Sequence, residues 1–111
     1  MGADLDKMNF DSYMEPRVTA FPDTGVAWYL MASYAYYWED DPILSDSAFD
    51  QLGKDLLARW DKVQHRHKHL LSEDELRAGS CLLSKDKYPG MTIGALHHLR
   101  LCHGCVKPVS Q

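Results

Sequence analysis

Asp46 and Asp50 stand four residues apart where a helix should open, with Phe49 between them. On a helix, residues three and four apart share a face, so both carboxylates and the ring would be neighbours. Ten residues before Asp46, Tyr36 and Tyr37 close a ring-rich segment that also holds Trp28, Tyr29, Tyr34 and Trp38. A flat cation stacked on tyrosine gains cation–π attraction, and nearby carboxylates add Coulombic attraction. Oxidised, N-substituted nicotinamide is such a cation. The same residues have plainer uses. Asp46 can cap a helix, Asp50 can pair with Lys54, and the rings can fill a core.

Two helices and a turn must bring these groups together. The first is expected from Asp23-Thr24, where a short polar side chain can accept a first-turn N–H, to about Glu39. Asp40-Asp41-Pro42 ends it, because the residue before proline is driven out of helical geometry. The second begins at Ser45, Asp46 or Ser47, and Ser47-Ala48-Phe49-Asp50 fits a capping box. Phe49, Leu52, Leu56, Trp60 and Val63 form one apolar stripe facing the first helix. Asp50–Lys54 and Asp55–Arg59 flank it as i, i+4 pairs. Gly53 costs about 1 kcal/mol against alanine inside a helix, which points to close helix–helix approach. Ser72 opens a short helix with an acidic first turn, ended by Gly79. A last helix is expected from Thr92 to about Cys102, ended by Gly104, after loop or short extended pieces over 80–91. Residues 1–22, with Pro16 and Pro22, read as an irregular lead-in. The expectation is an all-α fold in one domain, 1–111: lead-in 1–22, antiparallel helical hairpin 23–71, short helical extension 72–111.

The 111 residues suffice for one modest core, and 45% apolar with 25% charged residues is ordinary for a globular chain. No apolar run nears the roughly 20 residues that span a bilayer. The acidic start lacks a signal-peptide apolar region, and Asp6 argues against myristoylation at Gly2, so a cytoplasmic location is expected. Residues 1–50 carry ten acids and two bases, net −8, and residues 51–111 six acids and ten bases, net +4. The bases of the second half interleave with acids, and no basic–aromatic stripe appears, so nucleic acid is not expected as a partner.

Tyr36 to Leu52 reads Tyr-Tyr-x-x-Asp-x-Pro-x-x-x-Asp-x-x-Phe-Asp-x-Leu. This pattern resembles the N-terminal domain, type Ia, of NAD-dependent bacterial DNA ligases, a small helical domain that recognises the NMN half of NAD. The resemblance covers about residues 24–71. It implies that Tyr36 stacks the nicotinamide ring and that Asp46 and Asp50 are the family's two essential carboxylates. Two positions depart: the family's histidine is Tyr37 here, and its tyrosine is Phe49, each removing a polar contact to the mononucleotide. The adenylated lysine of the family's Lys-x-Asp-Gly motif is missing, Lys85-Asp86-Lys87 being the nearest approach. Ligation by this chain alone is therefore not expected, and an NAD hydrolase is a further alternative. The chain also resembles small ligase-related proteins encoded by phages. The implied function is a non-catalytic module that binds NAD or NMN, or keeps that pocket as a vestige, beside a host NAD-using protein. The alternative is a phage interaction or inhibitor protein that reuses the scaffold without nucleotide. Six tyrosines and three tryptophans supply aromatic surface for that role.

Three cysteines in such a chain suggest reduced thiols or metal rather than a disulfide framework. Cys81, Cys102 and Cys105, with one of His97, His98 or His103, could supply four zinc ligands, His103 lying inside the C-x-x-C. Buried or idle thiols are the competing reading. His65, His67 and His69 would project to one side if extended, whereas a basic helix end is the simpler use. No nucleophile elbow or phosphate loop is present.

Overall fold

The computed structural model describes residues 10–79, 81 and 83–102, with Cys102 described by its backbone alone. Among the described residues there are five α-helices: α1 Asp11–Ala20, α2 Gly25–Tyr37, α3 Asp46–Ala58, α4 Glu73–Ala78 and α5 Gly90–Cys102. No strand occurs among the described residues. None of these helices is long and apolar enough to cross a membrane.

The order of the molecule follows from α2. Its sequence offers no polar face, and from Gly25 to Ala35 every residue but Ala27 is buried. A helix apolar all round must be covered all round. Helix α3 packs on it from one side and α5 from another, while α4 packs on α3. A Cβ at Gly25 would meet Leu56 and Leu52, and one at Gly53 would lie 3.1 Å from the Tyr29 ring. The early part of α2 thus meets the late part of α3, and the backbones close up where glycine permits it. Cover ends abruptly after Ala35. Tyr36, Tyr37 and Trp38 are 47%, 43% and 44% exposed.

Helix α2 stops by a left-handed turn. Asp40 takes φ +52°, and the Asp41 N–H reaches back to the Ala35 carbonyl at 2.9 Å. Aspartate tolerates that conformation better than most residues, and Pro42 then prevents any resumption of the helix.

The lead-in is helical where an irregular segment was expected. Helix α1 contains Pro16, which removes the bond its N–H would have given to the Ser12 carbonyl. Tertiary contacts outweigh that loss. Phe10 and Met14 are buried, the Phe10 N–H donates to the Ile43 carbonyl at 2.7 Å, and Arg17 covers the Tyr13 ring at 3.5 Å.

Helix α3 is shorter than its apolar stripe. It ends at Ala58, and Trp60–Lys62 form a 3₁₀ turn, so Trp60 and Val63 reach the core from outside the helix. Lys68 stabilises this bend by donating to the carbonyls of Trp60 at 2.6 Å and Val63 at 3.0 Å. The short helix is placed as expected. Ser72 accepts the Glu75 N–H at 3.2 Å, and Gly79 closes α4 at φ +72°. Helix α5 begins at Gly90, two residues ahead of the expected Thr92.

A candidate ring-binding cleft between two helix ends

Where α2 emerges and α3 begins, a cleft of about 190 Å³ opens. Helix α2 contributes Ala32, Tyr36 and Tyr37, and the turn contributes Pro42 and Leu44. Helix α3 contributes Asp46, Phe49 and Asp50, and Gly79 lies at its edge. All five residues singled out for ring binding line this one space.

Their local chemistry differs. Ser45, not Ser47, caps α3: its Oγ accepts the Ala48 N–H at 3.1 Å, so the expected capping box does not form. Asp11 on α1 explains the shift in register. Its two carboxylate oxygens accept from the Ser45 N–H at 2.9 Å and the Ser45 hydroxyl at 2.6 Å, fixing that serine as the cap. Asp46 is thereby relieved of capping. It is exposed, and its side chain has no hydrogen bond or ion pair among the described residues. Asp50 pairs with Lys54 at 3.0 Å, both side chains more than half exposed. Such a surface pair is worth about 0–1 kcal/mol, so it does little to fix the Asp50 side chain. The other Asp50 oxygen faces Gly79, where a Cβ would lie 3.3 Å away.

The rings form two walls. Tyr36 and Tyr37 meet edge to face, centroids 4.9 Å apart at 85°. Phe49 stacks on buried Tyr29, centroids 4.5 Å apart at 13°, so one of its faces already belongs to the core. Burial pushes the Tyr29 hydroxyl above the ordinary phenol range. Phe49 is therefore a fixed wall, and the exposed Tyr36 and Tyr37 are the rings open to stacking.

A charged network holds the cleft's turn against α5. Glu39 accepts from His97 at 2.6 Å and from Arg100, and Arg100 also donates to the Asp41 carbonyl at 2.5 Å. Partial burial would raise the Glu39 carboxyl. Hydrogen bonds from His97 and Arg100, with the Arg100 charge, outweigh it and hold the group below the ordinary carboxylate range. Arg100 was not singled out from sequence. The only signal was an i, i+3 pair of His97 and Arg100 on a helix facing nothing obvious, with an acidic turn sixty residues away.

The zinc expectation divides. Cys81 is buried, its sulfur 3.7 Å from the Tyr88 hydroxyl, which lies 2.9 Å from the Ser33 hydroxyl. His97 is engaged by Glu39. The Cys102 side chain, His103 and Cys105 lie outside the described residues. Among the described residues, no three His, Cys, Asp or Glu side chains gather to hold a metal. His65 and His67 stand 5.6 Å apart, and His65 Nδ1 accepts the His67 N–H at 3.1 Å. This places the His65 proton on Nε2 and makes the pair part of a bend ahead of the Lys68–Leu70 3₁₀ turn. Desolvation first, then neighbouring positive charge, lowers both imidazoles from their ordinary value.

No family model, no curated protein and no solved structure matches this chain.

Proposed function

We propose that this protein is a non-catalytic module that holds the nicotinamide end of NAD or NMN between the end of α2 and the start of α3. One observation carries the reading: Asp46 lines the aromatic cleft without capping α3, because Asp11 and Ser45 have taken over the cap. A carboxylate left spare beside exposed tyrosines suits a flat cation. Tyr36 stacks the ring, Asp46 and Asp50 balance its charge, and Tyr37 and Phe49 frame it. The likeness of Tyr36–Leu52 to the NMN-recognising domain of NAD-dependent ligases supports the same assignment. The cleft's volume is below the roughly 300–1,000 Å³ of sites that enclose drug-sized ligands, so it suits one ring, with the ribose at its mouth. A module of this kind, phage-encoded by the same likeness, would work on or beside a host protein that uses NAD.

Isothermal titration with NAD and NMN tests the reading, with Tyr36→Ala and Tyr36→Phe as controls. Heat with the native chain, lost in Tyr36→Ala and kept in Tyr36→Phe, is expected. No heat at millimolar ligand rejects it.

A second reading has its own observation. Tyr36, Tyr37 and Trp38 form a run of exposed rings where α2 leaves the core. Aromatic residues of this kind anchor protein interfaces, so the same helix end suits an interaction or inhibitor protein that binds no nucleotide. In that case Trp38→Ala abolishes partner capture while NMN produces no heat.

A further inference from the structure

The charges around the cleft decide more than whether a cation enters. Asp46 and Asp50 are the only charged side chains among the described residues that line it, and no lysine, arginine or histidine joins them. Between Tyr37 and Pro42, both lining residues, the chain carries Glu39, Asp40 and Asp41. Basic side chains on or beside the elements that build the cleft are paired: Lys54 with Asp50 at 3.0 Å, Arg77 with Asp74 at 3.2 Å, and Arg100 with Glu39 and the Asp41 carbonyl. Asp40 is exposed at the tip of the turn. A phosphate attached to a ring in this cleft would meet the Asp46 and Asp50 carboxylates and no basic side chain among the described lining residues.

We infer that the cleft selects phosphate-free N-substituted pyridinium cations, with Asp46 as the specificity-determining residue, and disfavours their phosphorylated forms. The selection presupposes the ring-binding reading and sharpens it, because the preferred ligand is the nucleoside cation rather than the nucleotide. Coulomb's law gives the scale. A phosphate dianion within about 8 Å of two carboxylates at the water-exposed mouth loses roughly tenfold in affinity at low salt. The loss shrinks as the Debye length falls from about 30 Å at 0.01 M salt to about 3 Å at 1 M. The pyridinium charge works in the opposite sense, so neutral nicotinamide and the uncharged dihydropyridine ring gain stacking but no ion attraction.

Four probes rank the terms on the full chain by titration calorimetry at low and high salt: nicotinamide riboside, NMN, dihydronicotinamide riboside and nicotinamide. The expected order places nicotinamide riboside about tenfold tighter than NMN at low salt, with the gap closing at high salt. Both neutral compounds bind more weakly than nicotinamide riboside. Asp46→Asn, whose fold is checked by circular dichroism and thermal melting, should weaken the riboside and narrow its advantage over NMN. A merely structural role for Asp46 would not move that ratio. NMN binding as tightly as the riboside, or tighter, overturns the selection while leaving ring binding intact. Neutral nicotinamide matching the riboside removes the role of charge. Silence from all four probes at millimolar concentration rejects the ring-binding reading itself, and the selection with it.

Discussion

Asp11 holds Ser45 by both carboxylate oxygens, one on its amide and one on its hydroxyl, across 34 residues of sequence. That clasp joins α1 to the first residue before α3 and separates two tasks that Asp46 could otherwise have shared. Stability belongs to Ser45 and Asp11, and the cleft's charge to Asp46. Ser45→Ala should cost about 1–2 kcal/mol, since it removes an N-cap and leaves Asp11 one bond short. Asp46→Asn should cost under about 0.5 kcal/mol, the loss of a charge near a helix N-terminus. Urea denaturation of the two variants should show this contrast. Equal losses would mean that Asp46 does cap α3.

Acid should weaken the fold in two separable stages. The His65 and His67 imidazoles lie below the ordinary 6.5 in the folded chain, chiefly through desolvation. The unfolded chain then takes up protons first, so the stability tied to them is complete above pH 6.5 and declines as pH falls further. Glu39 is depressed below its ordinary 4.5, because the bonds from His97 and Arg100 outweigh its desolvation. Its share is complete above that value and is lost as pH falls through the lower folded one. Thermal melts from neutral to strongly acid pH should show both declines. His65→Gln should flatten the upper one and Glu39→Gln the lower. If Glu39→Gln leaves the acid limb unchanged, the turn is not held to α5 by this network.

Much of this layout is legible in the sequence, and the reasons are local. Asp40-Asp41-Pro42, Ser72 and Gly79 each carry a backbone preference strong enough to end or start a helix unaided, and each does so. Tyr36, Tyr37, Asp46, Phe49 and Asp50 come together because one turn separates their helices, so their spacing in sequence nearly fixes their spacing in space. What was not legible is non-local. Helix α1 forms across Pro16 because Ile43 and Ser45 bind its start, and no reading of residues 1–22 alone contains that partnership. Among the three expected starts, Asp11 selects Ser45 as the cap, and the capping box at Ser47 does not form. Arg100 sits sixty-one residues from Glu39, and the apolar stripe through Val63 bends at Ala58 under the hold of Lys68. For α1 and the Glu39 network the partner lies thirty or more residues away, whereas Lys68 bends the stripe from five to eight residues downstream.

Gly53 offers a test of the α2–α3 contact. Alanine there gains about 1 kcal/mol of helix propensity. Its Cβ, however, would sit 3.1 Å from a ring edge of Tyr29, which is 0% exposed and stacked on Phe49. A ring packed on all sides cannot yield cheaply, and overpacking of this kind costs about 1–3 kcal/mol. Gly53→Ala should therefore be neutral to about 2 kcal/mol destabilising, and Gly53→Val clearly worse. A stabilised Gly53→Ala would show that the two helices have room to part.

Gly79 meets two demands at once, and two substitutions can separate them. Its φ of +72° lies in the left-handed region, where alanine pays about 1–2 kcal/mol and asparagine less. Any Cβ would also stand 3.3 Å from an Asp50 carboxylate oxygen at the rim of the cleft. Gly79→Ala should lower both stability and affinity for the pyridinium probe. Gly79→Asn should recover much of the stability, since asparagine accepts the turn, yet still crowd Asp50 and bind weakly. Denaturation and calorimetry on the same two variants separate the backbone from the site. Recovery of affinity in step with stability in Gly79→Asn would place Asp50 outside the binding interaction.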